Sequence, residues 1–318
     1  MRKVGAFLYC YLRSMRLYYG FVTGATVLAG VMMATPREPW PGWKTAVTLA
    51  IGFLAWGVNQ IFNDFFDRKA DRINAPHRPM ASGRLAPAPA LALSAILMLG
   101  MAAAAYFIQP WMLAVMAAGA VLNLLYSLCK PVPVLNAFLY ALAISMCVPF
   151  GELGAGEHPD FMTEWEFLPC LLICFVPAHF LMCSFSYYKD KTGDRAAGVR
   201  TSVNLFPDRA TLPTLATGGI LYSILLCLPV CMGNDDLLLR SLAVLLFGGQ
   251  MLLLFQLVRA IRGGAFHRAT CLNCQLCVCW MFTPPLSRCP YLYAAAGASL
   301  LLIRLLFLWY RDEREQAR

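Results

Sequence analysis

The residues best suited to chemistry fall in two short acidic runs. The first reads Asn63-Asp64-Phe65-Phe66-Asp67-Arg68-Lys69-Ala70-Asp71-Arg72. On a helix, at 100° per residue, Asp64, Asp67 and Asp71 lie within about 60° of one another, and Asn63 sits one turn before Asp67. Three carboxylates so close repel one another unless a cation sits among them. The second run reads Lys189-Asp190-Lys191-Thr192-Gly193-Asp194-Arg195, and again places two acids, Asp190 and Asp194, one turn apart. Hard oxygen donors in two groups suit Mg²⁺, which binds a few carboxylates and keeps other positions for water and phosphate oxygens. The expected metal set is Asn63, Asp64, Asp67, Asp71, Asp190 and Asp194. Basic residues are interleaved with these acids: Arg16, Arg72, Arg78, Lys130, Lys189, Lys191 and Arg200. A plain cation site would not need them. A phosphorylated ligand, held by metal on one side and by Arg or Lys on the other, would.

The elements that carry these runs are membrane helices. Of 318 residues, 59% are hydrophobic and only 14% charged, against about 25% charged in soluble domains. The apolar residues come in blocks near 20 residues, the length that crosses a ~30 Å hydrocarbon core. Nine spans are expected, at about 12–34, 43–63, 88–108, 111–129, 134–153, 168–188, 211–232, 237–259 and 290–310. Backbone groups in lipid must pair internally, so these are helices. The expected fold is one all-α polytopic bundle, a single domain over residues 1–318, with a polar cap formed by loops 63–87 and 189–210. A third polar loop is expected at 260–289. Spans two and six are separated by four crossings, so both acidic runs face the same side. With the N-terminus in the cytoplasm, 19 of the 26 Lys and Arg fall on interior segments, as the positive-inside bias requires. The exterior loop 151–166 has no basic residue but holds Glu152, Glu157, Asp160, Glu164 and Glu166. Arg311, Arg314 and Arg318 would then be misplaced outside. The net charge of +9 follows the membrane, and no nucleic-acid partner is expected. Arg13 and Arg16 interrupt the first apolar stretch, so no cleaved signal is expected. Most of the 13 cysteines lie in apolar stretches as small hydrophobes. Cys271-x-x-Cys274-x-x-Cys277-x-Cys279 has metal-like spacing, but its apolar surroundings favour packing.

Asn63-Asp64-x-x-Asp67-x-x-x-Asp71, continuing through Arg72 and Arg78-Pro79-Met80-Ala81-Ser82-Gly83-Arg84, resembles the first signature of the UbiA prenyltransferase superfamily. Lys189-Asp190-x-x-Gly193-Asp194-Arg195-Ala196-Ala197-Gly198-x-Arg200-Thr201 is similar to its second, and Leu125-Tyr126-Ser127 with Lys130 also resembles the family. The resemblance implies that Asp67, Asp71, Asp190 and Asp194 are catalytic and, with Asn63, hold Mg²⁺ against an isoprenyl diphosphate. It implies that Arg16, Arg72, Arg78, Lys130, Lys189 and Arg200 take the remaining phosphate charge. The prenyl chain would lie in the bundle, near Tyr126, Ser127 and Tyr187, with the mouth of the site on the cytoplasmic side. Phe62, Phe65, Phe66, Tyr126 and Tyr187 are at a depth where aromatic faces could stabilise an allylic cation. The acceptor is lipophilic or aromatic, with an aromatic or quinone-precursor ring expected from the family. A terpene cyclase of the same family would share every motif. A transporter would carry its ionisable residues near the midplane on broken helices, whereas here the acids sit at the ends of spans.

Overall fold

The computed structural model describes residues 2–34, 42–129, 132–155, 167–196, 201–233, 236–286 and 292–310. Among them are fourteen α-helices, and nine stretches are long and apolar enough to cross a membrane. Helix α1 (Arg2–Met15) is strongly amphipathic and leads through a 3₁₀ turn, Leu17–Tyr19, into α2 (Gly20–Ala34). Helix α3 (Trp43–Asn74) has 32 residues, or about 48 Å at 1.5 Å each. That exceeds the ~30 Å hydrocarbon core, so its last turns carry the first acidic run beyond the apolar layer. Helices α4 (Pro87–Ile108) and α5 (Trp111–Leu128) follow.

The fifth and sixth spans are each bent by a proline. Helix α6 (Leu135–Ser145) breaks at Met146 before α7 (Cys147–Ala155), where Pro149 cannot donate to the preceding turn. Helix α8 (Phe167–Cys174) breaks at Phe175 before α9 (Val176–Ala196), where Pro177 does the same. Helix α7 therefore includes Gly151 to Ala155, which were expected in an exterior loop. Glu157, Asp160, Glu164 and Glu166 lie outside the described residues. Helices α2 and α7 touch backbone to backbone. A Cβ on Gly30 would come 2.0 Å from the Val148 carbonyl oxygen, and one on Gly151 would come 2.0 Å from that of Val27. Only glycine permits this approach, as at small-residue contacts between membrane helices.

The chain continues through α10 (Ser202–Leu205), α11 (Asp208–Met232), α12 (Leu237–Arg262), α13 (Phe266–Leu286) and α14 (Leu292–Trp309). Helix α13 corrects the expectation of a polar loop at 260–289. It packs on α2, α9, α12 and α14, and Leu276, Cys277, Trp280 and Met281 on it are fully buried. It runs antiparallel to α14, since His267 meets the Phe307 carbonyl at 3.2 Å and Gln275 Nε2 donates to the Leu300 carbonyl at 2.9 Å. His267, Asn273 and Gln275 thus bond to backbone carbonyls of neighbouring helices. Helix α14 then returns to the end of the bundle that holds the acidic runs, with Arg13 donating to the Trp309 carbonyl. Trp309, the last residue of α14, therefore sits at the acid-lined end, and Arg311, Arg314 and Arg318 lie outside the described residues.

Candidate active site

The two acidic runs face each other across one cavity of about 580 Å³. Helices α2 to α7 and α9 wall it; α13 backs α2 and α9 from outside, α11 backs α9, and α12 and α14 pack on α13. On α3 the lining runs from Ile51 to Asp71, about 30 Å along the helix axis. The polar end is lined by Arg16, Asn63, Asp67, Asp71 and Arg78 on one side and by Lys189, Asp190 and Asp194 on the other. The far end is lined by Val27, Ile51, Met101, Met116, Met146 and Phe150. Such a cavity takes a ligand with a highly charged head and a long apolar body.

The α3 wall is already paired. Arg16 Nη2 donates to Asp64 Oδ1 at 2.6 Å, and Gln60 Nε2 donates to the same oxygen at 2.9 Å. Arg78 Nη1 donates to Asp71 Oδ1 at 2.5 Å. Burial pushes the Asp71 carboxyl above the ordinary carboxylate range, and Arg78 only partly reverses this. For Arg16, burial works against the charge, but the carboxylates of Asp64 and, further away, Asp71 offset it and hold the guanidinium protonated. The α9 wall is looser: Lys189 Nζ stands 3.9 Å from Asp190 Oδ2, and Lys191 turns away from the cavity to Asp208.

Not every expected residue reaches the cavity. Asp64 is buried behind Arg16, and its role here is to hold that guanidinium; its Oδ2 has no hydrogen-bond partner among the described residues. Arg72 is exposed and does not line the cavity, because it projects from α3 away from the face that carries Asp67 and Asp71. Lys130 and Arg200 lie outside the described residues. Tyr126, Ser127 and Tyr187 do line it. Phe62, Phe65 and Phe66 do not: Phe65 lies under the Arg68 guanidinium and Phe66 is exposed. The aromatic wall comes instead from Tyr19, Trp56 and Tyr140, together with Tyr126. Tyr19 stacks on Trp56 at 4.6 Å, Trp56 meets Tyr140 edge-on at 6.0 Å, and Tyr126 meets Tyr140 at 5.5 Å. Trp56 was within reach of sequence reasoning, being seven residues before Asn63 and so on the same helix face.

The donor set fits a magnesium ion. Asn63, Asp67, Asp71, Asp190 and Asp194 offer only hard oxygens, from two walls of one cavity. Among the described residues no three His, Cys, Asp or Glu close on a point by themselves. A Mg²⁺ ion held there would take its remaining ligands from substrate phosphates and water. Cys271, Cys274, Cys277 and Cys279 pack into α13 and its neighbours.

Comparison with known proteins agrees with this geometry. The profile of the UbiA prenyltransferase family matches residues 23–269. A digeranylgeranylglyceryl phosphate synthase of Methanoculleus marisnigri is 32% identical over 192 residues, 60% of this chain and 66% of that protein. The chain thus spans about two thirds of that relative's length. Among solved structures, an apo UbiA homolog from Aeropyrum pernix K1 matches with a TM-score of 0.63 at 17% identity, over 91% of this chain and 97% of that one. A UbiA homolog from Archaeoglobus fulgidus bound to GPP and Mg²⁺ matches with a TM-score of 0.57 at 17% identity, over 87% and 99%. At these identities the structural likeness establishes the fold.

Proposed function

The chain belongs to the UbiA prenyltransferase family, and from that premise we propose that it moves an isoprenyl chain from an isoprenyl diphosphate to a lipophilic acceptor, with Mg²⁺ shared between the two acidic walls. The observation that carries this reading is one cavity with acids and bases at one end and apolar and aromatic walls beyond them. Bound there, Mg²⁺ would offset the charge that builds on the departing diphosphate. Arg16, Arg78 and Lys189 add fixed positive charge to the same end, where a dry, preorganised site makes each interaction stronger than in water. Asp64 and Asp71 hold Arg16 and Arg78 in place. As the carbon–oxygen bond to the diphosphate lengthens, the allylic carbon gains positive charge. Tyr19, Trp56, Tyr126 and Tyr140 offer ring faces and edges one to two helical turns further in, where that charge can be stabilised. The apolar far end takes the prenyl chain.

For the acceptor, this reading departs from the aromatic ring expected from the sequence. A digeranylgeranylglyceryl phosphate carries two prenyl chains on one glyceryl phosphate, and the relative from Methanoculleus marisnigri is named for making it. We therefore assign an acceptor of the prenylglyceryl phosphate type, whose phosphate brings more negative charge to a basic mouth than the single carboxylate of a hydroxybenzoate. The mouth is assigned to the cytoplasmic side, following the charge distribution of the loops. The test is to supply purified protein with labelled geranylgeranyl diphosphate and Mg²⁺ and one acceptor at a time. Labelled ether lipid should form with geranylgeranylglyceryl phosphate and not with 4-hydroxybenzoate. Transfer to the aromatic ring alone would overturn the acceptor. A cyclised hydrocarbon formed without any acceptor would replace transfer by cyclisation.

A further inference from the structure

Arg16 has an unusual backbone. Its φ of 50° and ψ of 57° are left-handed, a conformation disfavoured for a residue with a Cβ and retained only where the surroundings enforce it. It ends α1 at Met15 and starts the 3₁₀ turn at Leu17. A chain break of this kind leaves the last carbonyls of one helix and the first N–H groups of the next without intrahelical partners. One side chain serves a group on each side of the break. The Tyr310 hydroxyl donates to the Leu12 carbonyl at 2.9 Å and accepts from the Leu17 N–H at 3.4 Å.

The clamp is reciprocal. Arg13 Nη1 donates to the Trp309 carbonyl at 2.6 Å, one of the last carbonyls of α14. Its guanidinium lies 4.9 Å from the ring centres of both Trp309 and Tyr310, within cation–π range. The Tyr310 ring meets Tyr18 edge-on at 5.2 Å. The end of α14 thus caps the end of α1, and α1 caps α14, beside the residue that reaches Asp64.

We propose that Tyr310 is a positioning residue for diphosphate binding: its hydroxyl fixes the left-handed turn at Arg16 and so keeps the guanidinium against Asp64 and facing the cavity. This rests on the reading of Arg16 as a diphosphate-binding group. Among the described residues neither Tyr310 nor any residue of α11 to α14 lines the cavity, so Tyr310 acts on the site through Arg16. The sequence offers no hint of this link, because the two residues are separated by nearly the whole chain.

Tyr310→Phe removes the hydroxyl and keeps the ring contacts with Tyr18, Trp309 and Arg13, so the packing that holds α14 is retained. The measurement is the affinity of Mg²⁺-loaded protein for geranylgeranyl S-thiolodiphosphate, an unreactive analogue, in wild type, Tyr310→Phe, Arg16→Ala and the double variant. Tyr310→Phe should weaken binding about tenfold, equivalent to about 1.4 kcal/mol. Arg16→Ala should weaken it by at least as much. In the double variant the loss should equal that of Arg16→Ala alone, since a residue that acts only through Arg16 has nothing left to position. Unchanged affinity in Tyr310→Phe, with or without a lower melting temperature, overturns the proposal and leaves Arg16 as a ligand-binding group. A tenfold loss that repeats in the Arg16→Ala background also overturns it. Wild-type affinity in Arg16→Ala overturns the reading of Arg16 itself, and the positioning role with it.

Discussion

The two walls of the polar end carry similar residues in different states. On α3 the acids are held before any ligand arrives: Asp64 and Asp71 have side-chain exposures of 2% and 8% and are paired with Arg16 and Arg78. On α9 the Asp190 side chain is 43% exposed, and its ion-pair neighbour Lys189 stands 3.9 Å away. The α3 wall is therefore part of the framework as well as part of the site. The same substitution should accordingly have different consequences on the two sides.

The largest effect is expected from the ion itself. Chelation should abolish transfer and added Mg²⁺ restore it, because the carboxylates of both walls then face an uncompensated diphosphate. Full turnover in excess chelator would remove the metal from the account. Next come Asp67→Asn and Asp190→Asn, one on each wall, each expected to lower turnover roughly 100-fold or more while the protein stays folded. Turnover by Asp190→Asn close to wild type would make α9 a bystander.

Stability should separate the walls. Asp64→Ala leaves Arg16 and Gln60 without their acceptor in a buried setting, and breaking such a pair costs about 3 kcal/mol or more. Asp190→Ala removes an exposed charge and should change stability by no more than about 0.5 kcal/mol. Thermal unfolding in detergent measures both, and equal losses would erase the distinction between framework and open wall. The smallest effect concerns pH. Protons and Mg²⁺ compete for the same carboxylate oxygens, and burial raises the Asp71 carboxyl above its ordinary range. Ligand affinity should therefore fall with acidification starting at a higher pH than an ordinary carboxylate would give, and Asp71→Asn should remove that early limb. A limb that survives the substitution belongs to another group.

Much of this was legible in the sequence, for identifiable reasons. Nine apolar stretches appear as helices because hydrocarbon leaves the backbone no alternative. Helical spacing correctly put Asp67 with Asp71 and Asp190 with Asp194, since local geometry alone fixes those pairs. Helix α13 was missed because His267, Arg268, Asn273 and Gln275 dilute its hydropathy. In the fold Asn273 donates to the Met182 carbonyl and Gln275 to that of Leu300, so both amides are held by backbone carbonyls of neighbouring helices. Angles on one helix could not show that Arg16, from another helix, stands between Asp64 and the cavity. They put Arg72 about 100° from Asp71, off the acidic face, but could not show that Arg78, delivered by the following turn, lines the cavity. Tyr19 and Tyr140 joined the site through long-range packing, which no local spacing encodes.

Whether both walls close on one Mg²⁺–diphosphate group can be read by titration calorimetry. Geranylgeranyl S-thiolodiphosphate would be titrated into wild type, Asp67→Asn and Asp190→Asn, with and without Mg²⁺. Mg²⁺ should tighten binding to the wild type, and either substitution alone should remove most of that gain, because each takes away one side of a shared site. An Asp190→Asn protein that keeps the full Mg²⁺-dependent gain would contradict a shared site and confine the ion to α3.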